Sequence, residues 1–140
     1  MAYIDTNIFI YAIENHFKFG KACKKILLDI ENEKVKAHSS ILVLVEIINV
    51  LMKINKILKK EGKKTVNIPD SIDAILSLPI IWFDLDFFTI KKAAEYEDKI
   101  SGADCVHLSI MEINGINQII SADEELDRVK TLHRIDPLRY

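Results

Sequence analysis

The run Ile41-Leu42-Val43-Leu44-Val45-Glu46-Ile47-Ile48-Asn49-Val50-Leu51-Met52 decides how the rest of the chain is read. Its β-branched content would suit a buried strand, but its length favours a helix. Glu46, Asn49, Lys53, Lys56 and Lys60 recur at alternating steps of three and four residues, and Val43, Ile47, Val50, Ile54 and Leu58 recur opposite them at helical spacing. A strand would bury Glu46 with no such polar continuation. The spacing therefore predicts a helix capped by Ser39 or Ser40 and running to about Lys60.

Outward from that helix, strands and helices alternate. Upstream, Ala2 to Asp5 reads as a strand, Asn7 to Glu14 and Phe17 to Glu31 as helices, and Val35 to Ser39 as a strand. Downstream come a polar loop from Glu61 to Pro79 holding a short helix near Asp70 to Leu76, a strand at Ile80 to Phe83 and a helix from Phe87 to Asp98. A helix capped by Ser101, from Ala103 to about Asn114, precedes a strand at Gln118 to Ser121, helical turns at Glu124 to Val129 and an edge strand at His133 to Ile135. This alternation implies an α/β fold with a mainly parallel sheet of roughly five strands, covered on both faces. Such sheets bind ligands beyond the carboxyl ends of their strands, so residues just after strands meet at one rim however distant in sequence.

Composition sets the bounds. A chain of 140 residues, 49% of them hydrophobic, suits one domain over 1–140 that folds without disulfides or structural metal. The net charge of −2 excludes a general basic field, so nucleic acid would have to be met by a local patch or bridging metal. Cys23 and Cys105 sit in no metal-ligand spacing and are expected to be reduced and buried, which suits a cytoplasmic location. No signal peptide is evident, and the apolar run 41–52 is too short and too polar to span a membrane.

Four acids stand out. Asp5 and Asp123 each follow a strand, Asp104 opens a helix, and Glu46 lies within an apolar helical turn. Each has an ordinary explanation. Asp5 and Asp123 can cap the helices they precede, Asp104 lies in the capping box Ser101-x-x-Asp104, and Glu46 can pair with a lysine such as Lys53. Glu46 fits its ordinary role least well, because burying an unpaired carboxylate is costly. Together they point to one rim. Two unit charges 4 Å apart repel by about 4 kcal/mol at an effective dielectric of 20, so such a cluster calls for protons or cations. Hard oxygen donors suit Mg²⁺ or Mn²⁺.

The ordered set Tyr3-Ile4-Asp5-Thr6-Asn7, mid-helix Glu46, Gly102-Ala103-Asp104-Cys105-Val106-His107-Leu108 and Ile120-Ser121-Ala122-Asp123-Glu124-Glu125-Leu126-Asp127-Arg128-Val129 resembles a PIN domain, and within that family the VapC-like toxin nucleases. The resemblance runs from residue 3 to Ile135-Asp136-Pro137. It implies a three-layer αβα fold and a Mg²⁺- or Mn²⁺-dependent endoribonuclease. It also implies, for VapC-like members, a homodimer inhibited by an antitoxin protein. On this resemblance Asp5, Glu46, Asp104 and Asp123 match the family's acidic quartet, with Asp5, Asp104 and Asp123 as metal ligands. Thr6, Asn7 and Ser121 match small polar residues that hold the first acid and its loop, and Asp127 is a candidate outer acid or a solvent-facing residue. Leu126 stands where the family often has an aromatic.

The remaining candidates divide simply. His107, one turn after Asp104, is expected to be a satisfied core residue that could otherwise touch a metal water or phosphate. Trp82 and Phe83 are expected in the core. Lys53, Lys56 and Lys60 continue the stripe of Glu46 and could carry RNA phosphates, or simply form a solvated helix end. A haloacid-dehalogenase-like phosphatase would need a second acid where Asn7 stands, and a receiver domain would need a lysine after Ile119-Ile120-Ser121. A non-catalytic interaction protein with the same fold is the third alternative.

Overall fold

The computed structural model describes residues 1–96 and 100–140. Five short strands carry the fold: β1 (Ala2–Ile4), β2 (Ala37–Ser40), β3 (Ile80–Phe83), β4 (Gln118–Ile120) and β5 (His133–Ile135). They form one fully parallel sheet in the order β3-β2-β1-β4-β5. The helices are α1 (Thr6–Ile13), α2 (Gly20–Glu31), α3 (Ile41–Lys60), α4 (Ile68–Leu76), α5 (Phe87–Ala93) and α6 (Gly102–Ile113). α1 packs on α2 and α3, α4 packs on α3, and α5 pairs with α6, so helices cover both faces of the sheet. This is the three-layer αβα arrangement expected from the alternation.

Parallel strands buried on both faces read as short apolar runs, and β1 is buried throughout. The long run resolves as the helix α3, which buries Val43, Ile47 and Leu51 completely against the sheet. Phe9, Ile26, Ile30, Ile110, Met111 and Ile120 complete the core. Truncating Ile47 or Leu51 to alanine is expected to cost about 2–5 kcal/mol, read from the shift in the denaturant midpoint. Cys23 and Cys105 are buried thiols, and burial pushes Cys23 up to about 11. Trp82 stacks on Phe9 and Phe83 on His38, both packed against the core while remaining partly accessible.

Most boundaries differ from the sequence expectation only at the ends. α2 starts at Gly20 rather than Phe17, because the chain turns sharply after α1. Asn15 takes a left-handed φ of 52°, and a Cβ on Gly20 would stand 2.9 Å from the carbonyl carbon of Asn15. α4 begins earlier than expected, at Ile68, since the side chain of Asn67 accepts from the Asp70 amide and Pro69 occupies its first turn. α5 ends at Ala93, and the expected end at Asp98 lies outside the described residues. The turns expected after Asp123 form a 3-10 segment, Glu124–Arg128. Among the described residues no helix is long and apolar enough to cross a membrane.

The strand order places the site. From β1 the chain moves outward to β2 and β3, then returns to the other side of β1 for β4 and β5. The order therefore reverses between β1 and β4, which opens a crevice at their carboxyl ends. Ile4 pairs with Ile120, so Asp5 and Ser121 are the first residues past the two strands on either side of that crevice.

Candidate active site

Asp5 caps α1 and is the most heavily bonded of the four acids. Its Oδ1 accepts from the Thr6 amide at 2.7 Å. Its Oδ2 accepts from Asn7 Nδ2 at 3.0 Å and from the Ser121 hydroxyl at 2.5 Å. Asn7 Nδ2 also donates to Ser121 Oγ at 3.0 Å, while Asn7 Oδ1 accepts from the Ala122 amide at 3.1 Å. Ser121 Oγ in turn accepts from the Asp123 amide at 3.0 Å. Two small polar side chains, Asn7 and Ser121, thus tie Asp5 to the loop that carries Asp123 across the switch point. Asp123 itself caps the 3-10 turn, accepting from the Glu125 amide at 3.0 Å.

Glu46 joins from the other side. Thr6 Oγ1 donates to Glu46 Oε1 at 3.1 Å, so one residue holds Asp5 by its amide and Glu46 by its hydroxyl. The partner of Glu46 is not a lysine. It is His107, whose Nε2 lies 2.5 Å from the same Oε1. Asp104 stands one turn before His107 in α6, at the N-terminus capped by Ser101, whose hydroxyl accepts from the Asp104 amide at 3.1 Å. Asp5, Glu46 and Asp104 all act electrostatically on His107. Asp5 and Asp123 fill their capping roles just past β1 and β4, and Asp104 stands in the first turn of α6, where its amide donates to Ser101.

Electrostatics follow from this crowding. Burial raises the Asp5 carboxyl; His107, the Ser121 hydroxyl and the Thr6 amide oppose it, Glu46 adds repulsion, and the net direction is upward. Burial also pushes Glu46 up, but the hydrogen bond and charge of His107, with the Thr6 hydroxyl, outweigh it and hold Glu46 below its ordinary value. For His107, burial pulls down, and the Glu46 hydrogen bond together with the charges of Asp5, Glu46 and Asp104 reverses the direction to upward.

Asp5 and Glu46 are joined through Thr6, and the Asp123 loop is tied to Asp5 through Ser121, while no bond joins the carboxylates to one another. Among the described residues, no three His, Cys, Asp or Glu side chains stand close enough together to ligate one ion directly. The chemistry of the donor set nevertheless fits a hard divalent cation. It is built from carboxylate oxygens, and burial together with the neighbouring Glu46 pushes the Asp5 carboxyl upward, which a bound cation would oppose.

The supporting candidates separate clearly. Thr6, Asn7 and Ser121 all bond acids of the cluster or its loop. Both oxygens of Asp127 accept from Arg134, at 2.8 Å from Nε and 2.9 Å from Nη2. Arg134 also donates to the Ser121 carbonyl at 2.9 Å, so the pair braces the loop after β4. Lys53, Lys56 and Lys60 are solvent-exposed along the stripe of α3 that begins at Glu46. At 1.5 Å rise per residue the stripe reaches about 21 Å from the acid. Sequence reading missed Tyr3 and Ser40. Tyr3 OH lies 2.7 Å from His107 Nδ1 and donates to Ser40 Oγ at 2.7 Å. A buried tyrosine in a three-residue strand was the available signal, since its hydroxyl needs a partner.

Comparison with known proteins agrees with this fold. No curated protein sequence is detectably similar. Among solved structures, a chain of the VapBC2 complex from Rickettsia felis, bound to a DNA fragment from its promoter, superposes with a TM-score of 0.69 at 20% identity, covering 96% of this chain and 98% of that one. The Mycobacterium tuberculosis toxin VapC20, described as cleaving the sarcin-ricin loop, gives 0.69 at 14% identity over 93% of this chain and 95% of its own. A toxin-antitoxin complex from Klebsiella pneumoniae gives 0.63 at 15% identity, covering 98% of each chain. The family model for the PIN domain matches residues 2–132, nearly the whole chain, and this chain belongs to the PIN domain family.

Proposed function

We propose that this protein is a metal-dependent endoribonuclease and the toxin of a VapBC-type toxin-antitoxin pair. The observation that carries the reading is the network around Asp5. Thr6 joins it to Glu46, and Asn7 and Ser121 join it to the Asp123 loop, all at the switch point of a parallel sheet. The structural relatives named above, two of them toxin-antitoxin complexes, support the antitoxin partner.

Asp5, Asp104 and Asp123 would hold one or two Mg²⁺ or Mn²⁺ ions, directly or through water. A cation bound there lowers the pKa of a coordinated water and offsets the charge that builds on the scissile phosphate. Glu46 would complete the ligand set or position the attacking water. Ser121, Asn7 and Thr6 hold the Asp5 carboxylate in place. Lys53, Lys56 and Lys60 take RNA phosphates along α3. Cleavage of a generic RNA with Mn²⁺ that stops on adding EDTA is the expected result; cleavage unchanged by EDTA would remove the metal, and no cleavage under any metal would leave a non-catalytic RNA-binding PIN domain.

The lysine role has its own test. Replacing Lys53, Lys56 and Lys60 together by alanine is expected to weaken RNA binding, reducing the slope of log affinity against log salt by about 2 for a single strand, with kcat little changed. An unaltered slope would return these lysines to the solvated surface.

A homodimer is also part of the proposal. The first two helices are the expected source of a dimer surface; α1 buries Ile8, Phe9, Ile10 and Ala12 in the core, while α2 exposes Leu28. On α3, Ile41, Val45, Ile48 and Met52 are exposed at steps of four, three and four, the spacing of a helix-pairing seam. Val45→Lys with Ile48→Glu is expected to convert a dimer to a monomer in sedimentation; a dimer that survives both changes would move the interface.

A further inference from the structure

Behind the acids lies a buried polar row to which the proposed hydrolysis assigns no task. Ser40 on β2, Tyr3 on β1 and His107 on α6 are hydrogen-bonded in sequence, and the row ends on Glu46 of α3. We propose that His107 is a positioning residue that fixes the Glu46 carboxylate, and that Tyr3 and Ser40 fix His107. The use of this lock in catalysis rests on the nuclease reading; its existence does not.

Glu46 has a long side chain, 30% exposed, on the outer part of a helix. Left alone it would sample several rotamers, and holding it costs entropy that a fixed partner must offset. Two groups grip the same oxygen from different elements: His107 Nε2 at 2.5 Å and Thr6 Oγ1 at 3.1 Å. With Oε1 held twice, Oε2 is the oxygen left for a water. The grip is only as firm as the imidazole, and the imidazole is immobilised from behind. Its side chain is 5% exposed, Tyr3 OH holds Nδ1 at 2.7 Å, and the Tyr3 ring meets it edge-on with centroids 5.6 Å apart. Tyr3 and Ser40 sit on adjacent central strands and are themselves fully buried. The carboxylate on α3 is thereby referenced to β1, the strand that Asp5 directly follows, and to its neighbour β2. A misplacement of about 1 Å in such a group can cost about 10²-fold in rate, so a lock of this kind has a measurable task.

Two substitutions at one position separate positioning from packing. In His107→Gln the terminal amide nitrogen takes the place of Nε2, so the donor to Glu46 survives. In His107→Asn the amide nitrogen takes the place of Nδ1, so the Tyr3 side survives and the grip on Glu46 is lost. Two readouts are taken on each: the χ1 rotamer of Glu46 from three-bond couplings in the metal-free protein, and kcat and KM for RNA cleavage. H107N is expected to average the Glu46 rotamer and lower kcat by about tenfold or more with KM within about twofold. H107Q is expected to keep one rotamer and stay within about threefold of the parent kcat. Equal losses in both variants, or a single Glu46 rotamer with unchanged kcat in H107N, would overturn the proposal. If the parent protein cleaves no RNA, the nuclease reading fails and the rotamer comparison still decides the lock. If H107N does not fold, Tyr3→Phe, which removes one oxygen atom, takes its place with the same expected rotamer averaging and the same overturning result.

Discussion

Asp5→Asn and Asp104→Asn are each expected to lower RNA cleavage by at least about 10³-fold while leaving the fold intact. The two residues belong to different elements, Asp5 directly after β1 and Asp104 in the first turn of α6. Each change removes one negative charge and keeps the shape of the side chain. Asn at position 5 can still accept from the Thr6 amide through its oxygen. Its new amide group then faces Asn7 and Ser121, which donate to the Asp5 carboxylate, so one hydrogen bond worth about 1 kcal/mol must rearrange. Relief of repulsion with Glu46 works in the opposite direction. Asn at position 104 leaves the Ser101 cap in place, because that cap uses the backbone amide. Melting temperatures within about 5 °C of the parent are therefore expected for both. Full cleavage by either folded variant would separate that acid from the chemistry.

The second large effect is the response of stability to pH and metal. Asp5 is raised, so its neutral form is the one the fold favours. That contribution is present below its ordinary value of 3.8 and is lost as pH rises through the folded value. Glu46 is lowered, and its contribution is present above its ordinary value of 4.5 and lost as pH falls through the folded value. His107 is raised, and its contribution is present below its ordinary value of 6.5 and lost as pH rises through the folded value. The metal-free protein is therefore expected to be most stable in mildly acidic solution, between the ordinary values of Glu46 and His107, and to weaken above it. Millimolar Mn²⁺ should raise the melting temperature, and more at pH 7.5 than at pH 5.5, where protons compete for the same oxygens. A melting temperature indifferent to Mn²⁺ at both pH values would count against a metal site among these acids.

Much of this site is legible along the chain because parallel α/β topology turns position in sequence into position in space. β3 and β5 fall at the expected residues, and Asp5 and Asp123 follow strands as read. The polar stripe on α3 arbitrates correctly between strand and helix. What the sequence does not carry is pairing across distance. His107 is buried and satisfied, as its place in α6 suggests, but its partners are 61 residues away at Glu46 and 104 away at Tyr3. No periodicity encodes either contact. Asp127 is similar: its helical offset from Asp123 suggests an acid of the cluster, whereas Arg134, seven residues on in the edge strand, claims both its oxygens. The start of α2 was obscured for another reason. The apolar Phe17 and Phe19 extend a helical pattern into a turn that the close approach of Gly20 to Asn15 requires.

On the proposed reading, Asp5, Asp104 and Asp123 hold divalent cations at the crevice between β1 and β4, with Glu46 beside them. Locating manganese by anomalous scattering in crystals grown with millimolar Mn²⁺ addresses it most directly. Density is expected at that crevice, within direct or single-water reach of Asp5 and Asp104, and is expected to disappear in Asp5→Asn crystals. Manganese bound only elsewhere, with RNA cleavage intact, would contradict it.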